Sequence, residues 1–199
     1  MASFEKAIPL ILLHEGGYIN HPNDPGGATN FGISLRFLRG FPSEGDFNRD
    51  GRVDAEDIIN MTRDQASQLY RRHWWDRYQY GRINDQTIAT KVFDLAVNMG
   101  ADRAHRLLQS ALNKTFMLRL SVDGILGNAS FSVINAVMDG DEEQRLLTAY
   151  ANEAWEFYQR LIERNPTLGV FRTGWRNRAF ALTRANSVVW SWKIYQHFM

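Results

Sequence analysis

Cysteine is missing from all 199 residues. Disulfides, a thiol nucleophile and cysteine-ligated zinc are thereby excluded, and either redox compartment suits the chain. Neither sign of charge is in excess: 23 Lys plus Arg against 22 Asp plus Glu leave +1. That balance argues against a protein that grips nucleic acid by its phosphates. Long hydrophobic runs are lacking too. The stretch from Ala7 to Leu13 is broken by Pro9 and stops at His14 and Glu15, far short of the roughly 20 apolar residues that span a bilayer. With no cleavage-site pattern beside it, neither a signal peptide nor a membrane anchor is expected. Internal repeats and low-complexity tracts are absent, and alternation of period two is scarce. What is left is a mainly α chain, 44% hydrophobic, with enough apolar residues for a real core. A monomer is expected.

Apolar residues Phe4, Ile8, Ile11 and Leu12 recur at helical spacing behind Ser3, a plausible N-cap, with Pro9 either kinking this helix or lying in its first turn. From Tyr18 to Ile33 the chain turns rich in glycine and proline, as a loop or small hairpin would. Helical patterns resume over residues 62–75, 86–98 and 101–112. After a VDGILG turn come 128–138, then 141–165, ended by Pro166, and finally 175–198. The expected architecture is a helical bundle with a small hairpin, in two lobes packed as one body. The first lobe covers residues 1–105 and the second 106–199.

The stretch HEGGY, residues 14–18, raises the first chemical question. At about 100° per residue, Glu15 shares a face with Phe4, Ile8, Ile11 and Leu12, so its carboxyl emerges where the apolar stripe ends. Partial desolvation there favours the protonated carboxyl that a general acid needs. Gly16 and Gly17 then leave open space beside it. Taken alone, EGG also reads as an ordinary helix stop. Its neighbours shift the balance: Asp24 sits in a polar loop, and Thr29 carries a hydroxyl able to position a water. One carboxylate in an apolar setting and another in a polar one are what glycoside hydrolysis uses. An Asx-type turn before Pro25 is the plainer account of Asp24.

Glu15, eight intervening residues, Asp24, four more and Thr29 resemble the Glu/Asp/Thr triad of phage-type lysozymes, which usually has one residue more in the second gap. Together HEGGY, NDPGGATNFGIS, VFDLAVNMG, LLQSALN, VDGILG and GWRNR resemble the glycoside hydrolase family 108 muramidases, over about residues 4–180. The resemblance implies a lysozyme-like α+β fold and hydrolysis of the β-1,4 bond between N-acetylmuramic acid and N-acetylglucosamine in peptidoglycan. Glu15 would protonate the leaving oxygen. Asp24 would stabilise the oxocarbenium-like transition state or activate water, with Thr29 helping to hold that water. Carboxyls about 5 Å apart favour retention and about 6.5–9.5 Å inversion; analogy with phage lysozymes favours inversion. Sugar rings offer C–H faces to aromatics and hydroxyls to amides, so Tyr18, Tyr70, Trp74 and Trp75 are candidates to line the substrate, and Asn98 to bind an N-acetyl group. Core packing is the competing role for the aromatics.

A second motif, DFNRDGRVDAED at residues 46–57, places Asp46, Asn48, Asp50, the Arg52 carbonyl and Asp57 at alternating ligand positions around Gly51. It resembles the Ca²⁺ loop and helix of dockerin and EF-hand modules, and implies a structural Ca²⁺ site, with no cofactor needed for catalysis. Asp57 stands where glutamate is usual. His14, His21 and His73 lack zinc-ligand spacing and are expected to make ordinary polar contacts. The segment from LLQSALN through VDGILG resembles the peptidoglycan-binding helices attached to the same family, with Trp175 and Arg176 or Arg178 either meeting anionic wall material or capping the core. A non-catalytic wall binder and a lytic transglycosylase are the alternatives. An endolysin of this type would wait in the host cytoplasm until a holin, or a dedicated secretion apparatus, delivers it to the wall.

Overall fold

The computed structural model describes residues 1–19, 27–137 and 140–183. Helix α1, Phe4–Glu15, buries Phe4, Ala7, Leu10 and Ile11 along one side, and Pro9 lies inside the helix. It ends where Gly16 takes a positive φ of 73°, a conformation that costs glycine little.

The glycine-rich stretch supplies the expected hairpin. Strand β1, Thr29–Asn30, pairs antiparallel with β2, Ile33–Ser34. Both turn residues, Phe31 and Gly32, have positive φ, 48° and 76°, the combination a two-residue turn of type I′ requires. Ile19 and Thr29 exchange backbone hydrogen bonds at 2.8 Å, tying the chain just after α1 to the hairpin. Short helices α2 (Leu35–Arg39), α3 (Pro42–Gly45) and α4 (Ala55–Asn60) follow. Helix α5, Arg63–Tyr70, starts at a capping box between Thr62 and Gln65. The helical pattern read through Trp75 does continue, but Arg71–Asp76 is wound as a π-helix, which re-aims Trp74 and Trp75 relative to an α-helical count.

Helix α6, Gln86–Met99, is the axis of the molecule. Every residue from Ile88 to Ala96 is buried, as expected of a helix surrounded by others. Gly100, with φ 87°, turns the chain into α7, Ala101–Phe116. Helices α8 (Asn128–Ala136), α9 (Gly140–Arg164) and α10 (Arg172–Phe180) complete the second half, with a 3-10 turn at Pro166–Phe171 before α10. The final helix expected from residue 175 begins at Arg172, and the expected residues beyond 183 lie outside the described residues. One hydrophobic cluster holds both halves, running from Phe4 and Ile11 through Phe93, Leu108 and Tyr158 to Ala179. The fold is mainly α, with a small two-stranded sheet. No helix among the described residues is long and apolar enough to cross a membrane.

The VDG turn shows how polar residues lock the second half. Gln109 on α7 accepts from Gly124 N at 2.9 Å and donates to Asp123 Oδ1 and to the Ile125 carbonyl. His105 stands between the Gly124 carbonyl (2.9 Å) and the Tyr80 hydroxyl (2.8 Å), with burial drawing its pKa down. Gly124 has a positive φ of 78°, and a Cβ there would meet the Asp102 backbone carbonyl oxygen at 3.1 Å, so the turn favours glycine.

Candidate active site

Helix α1 delivers Glu15 at its last turn, with the side chain 17% exposed. The tip of the hairpin closes on it. A Cβ at residue 32 would lie 2.6 Å from Glu15 Oε2 and 2.5 Å from the Tyr70 hydroxyl; the backbone of Gly32 therefore packs directly against the acid. Tyr70 pins the hairpin by donating to the Phe31 carbonyl at 2.9 Å. Burial, and after it the charge of Glu15, hold that phenol well above its ordinary pKa and keep it neutral.

The other oxygen of the acid is claimed from the far end of the chain. Arg178 on α10 donates from Nη1 to Glu15 Oε1 at 2.8 Å, and the same nitrogen is 3.7 Å from Asp94 Oδ1. Asp94, on α6, has a side chain with no solvent exposure, and its Oδ1 is also 2.7 Å from His14 Nδ1. Burial pushes the Asp94 carboxyl up, but His14 and Arg178 outweigh it and hold the pKa at about 2. Burial likewise opposes charge on Arg178, yet Asp94 and then Glu15 raise its pKa above the ordinary value. One helical turn before Asp94, Lys91 donates to the carbonyls of Arg178 (2.6 Å), Ala179 (2.7 Å) and Ala181 (3.1 Å). These acceptors take all three N–H groups of an ammonium and cap the C-terminal end of α10, although burial draws the lysine down to about 7.

The expected site residues fare differently. Glu15 is not left in a purely apolar corner, because Arg178 is its partner. Thr29 lies half-buried on β1, its hydroxyl 3.5 Å from the Gly27 carbonyl. Asp24 and His21 lie outside the described residues. Tyr18 is 45% exposed and free to meet a ligand. Tyr70 is completely buried, which corrects its expected place in an exposed platform: its ring is core and only its hydroxyl reaches the hairpin. Trp74 is half-buried and stacked on Phe37 at 5.2 Å, while Trp75 packs edge-on against Phe4 and Phe93 in the core. Asn98 is exposed but gives its Oδ1 to the Tyr158 hydroxyl at 2.6 Å, leaving its amide N–H groups outward. Tyr158 in turn stacks on Trp175 at 4.9 Å, and Trp175 on Phe171 at 5.5 Å. This aromatic file went unread in the sequence, apart from Trp175.

The loop at 46–57 is held closed by its own backbone. Asp46 accepts from Asp50 N and Gly51 N, Asn48 from Asp50 N, and Asp50 from Arg52 N, at 2.9–3.1 Å. Asp57 is buried and accepts from Phe47 N and Asp54 N. As placed, these oxygens face N–H groups, and among the described residues no group of three or more His, Cys, Asp or Glu is gathered as a metal ion requires. His14 and His73 make polar contacts as expected, His14 to Asp94 and His73 to Glu44 at 3.0 Å.

Comparison with known proteins places this geometry. The family model for glycosyl hydrolase 108 matches residues 8–100, and that for a predicted peptidoglycan domain matches residues 103–180. The chain carries a glycosyl hydrolase 108 domain followed by a peptidoglycan domain. That pairing supports a peptidoglycan hydrolase or binding role. Among solved structures, SagA of Brucella abortus superposes with a TM-score of 0.62 at 26% identity, covering 91% of this chain and 95% of that one. No curated protein matches. The border between the two matched segments falls at the α6–α7 turn, and Glu15 lies in the hydrolase domain while Arg178 lies in the peptidoglycan domain.

The buried carboxylate generates a pH prediction. Because its folded pKa, about 2, lies below its ordinary 3.8, Asp94 contributes stability that is complete above about pH 4 and disappears as the pH falls from about 4 to about 2. The difference corresponds to about 2 kcal/mol. Urea unfolding of wild type and Asp94→Asn across this window should show the shallower pH dependence in the variant. Parallel curves would remove Asp94 as the titrating group.

Proposed function

We propose that the chain is an N-acetylmuramidase, cleaving the β-1,4 bond between N-acetylmuramic acid and N-acetylglucosamine with Glu15 as the general acid. The observation that carries this is Glu15 itself: a carboxyl at the end of helix α1, 17% exposed, held between Arg178 at Oε1 and the Gly32 backbone on the side of Oε2. The proton moves from Glu15 to the bridging oxygen as the bond from that oxygen to the anomeric carbon breaks, and the bond's electron pair stays on the oxygen. Asp24 stabilises the positive charge left on the sugar or activates the water that replaces the leaving group, with Thr29 positioning that water. Tyr18 and the amide of Asn98 offer the substrate an apolar face and hydrogen bonds, and Trp74 an aromatic edge.

Purified peptidoglycan digested with wild type and with Glu15→Gln tests the reading, the products being identified by mass spectrometry. The expected result is reducing muramic ends from wild type and a rate at least about 100-fold lower for the variant. Anhydro-muramic ends would point instead to a transglycosylase, and binding without release to a wall-binding protein, which the peptidoglycan domain also suits.

For the loop at 46–57 we propose structural Ca²⁺ binding through Asp46, Asn48, Asp50, the Arg52 carbonyl and Asp57. Each oxygen that accepts one N–H keeps a second lone pair, so binding asks the side chains to converge without unfolding the loop. EDTA should lower the melting temperature and excess Ca²⁺ restore it. An unchanged melting curve would eliminate the metal.

A further inference from the structure

We infer that Arg178 is a positioning residue for the proton donor, so that the peptidoglycan domain completes the catalytic centre of the hydrolase domain rather than serving only to hold the wall; this rests on Glu15 being the acid. A guanidinium can only donate hydrogen bonds. With Arg178 donating to Oε1 at 2.8 Å, the transferable proton of Glu15 resides on Oε2, the oxygen on the side of Gly32. As that proton passes to the glycosidic oxygen, Glu15 gains negative charge. Arg178 already stands where the charge develops, and no reorganisation is required.

Arg178 is itself fixed from behind. Its side chain is 9% exposed, Asp94 lies 3.7 Å from the same nitrogen, and Lys91 holds the carbonyl of Arg178 at 2.6 Å. A guanidinium needed only for solubility or for gripping an anionic polymer would face solvent, as Arg176 does on the same helix. Lys91, Asp94 and His14 all belong to the hydrolase segment and Arg178 to the other. The acid is therefore gripped across the domain border.

The full-length chain carrying Arg178→Gln, Arg178→Ala or Arg178→Lys is compared with wild type and Glu15→Gln on purified peptidoglycan. Rates of reducing-end release, KM, co-sedimentation with the wall and melting curves are measured together. The expected result is a kcat about 100-fold lower for Arg178→Gln, with KM and co-sedimentation within about 3-fold of wild type. Arg178→Lys should recover part of kcat, and low millimolar guanidinium should raise the rate of Arg178→Ala, neither of which a purely structural role would produce. Undiminished kcat in Arg178→Gln overturns the inference. So does a loss shared by all three variants that follows their melting temperatures and resists both lysine and guanidinium. An inactive wild type, or a fully active Glu15→Gln, instead defeats the functional reading on which the inference stands.

Discussion

Asp94 has no water to solvate it. Its carboxylate sits on a helix buried along its whole middle, and an isolated charge there would be prohibitively costly. The structure answers with cationic and polar partners drawn from three directions: His14 from the helix that ends in the acid, Lys91 from the preceding turn, and Arg178 from the last described helix. Gripping one buried anion through its Oδ1 thus fixes the end of α1, the docking of α10 and the orientation of Glu15 at once. Such clusters stabilise little compared with an apolar replacement, yet removing one partner typically costs about 3–5 kcal/mol. Their benefit is geometric.

The apolar core does the complementary work. It packs α1, α6, α7 and α9 into one body but says nothing about how a carboxyl should point. The hairpin supplies the second fixed wall. Phe31 and Gly32 form a turn that only positive φ allows, and Tyr70 holds it by a hydrogen bond to the Phe31 carbonyl. Glu15 lies between the close-packed backbone of Gly32 and a guanidinium that suits the charge left when its proton departs.

Much of this was legible in the sequence. The apolar spacing of Phe4, Ile8 and Ile11 placed α1 and put Glu15 at its end. The Asp141 to Asn165 pattern matched α9 to within one residue at either end, and the glycine- and proline-rich stretch from Tyr18 to Ile33 read as a loop or small hairpin. Helices α2 and α3 were missed because four or five residues are too few to display a period of 3.6. The Tyr70, Trp74 and Trp75 set was harder, since the π-helical winding after Tyr70 shifts each side chain off its counted face. The ion cluster was missed for a different reason: its pairs of His14 with Asp94 and of Arg178 with Glu15 and Asp94 join residues 80 or more apart, and pairing at that range leaves no local periodicity. A local clue did exist. Lys91 and Asp94 stand one helical turn apart inside the apolar run TKVFDLAV, and charges there must find partners. GWRNR gave Arg178 no distinction from Arg176 until the structure showed one buried and the other exposed.

The most direct measurement is a double-mutant cycle on folding stability between Asp94→Asn and Arg178→Gln, followed by urea unfolding at neutral pH. If one buried anion ties the two domains together, the single losses will not add, and the coupling will be at least about 1 kcal/mol. Losses that sum to within about 0.3 kcal/mol would show that Arg178 and Asp94 act independently, and the shared anchor for Glu15 would be gone.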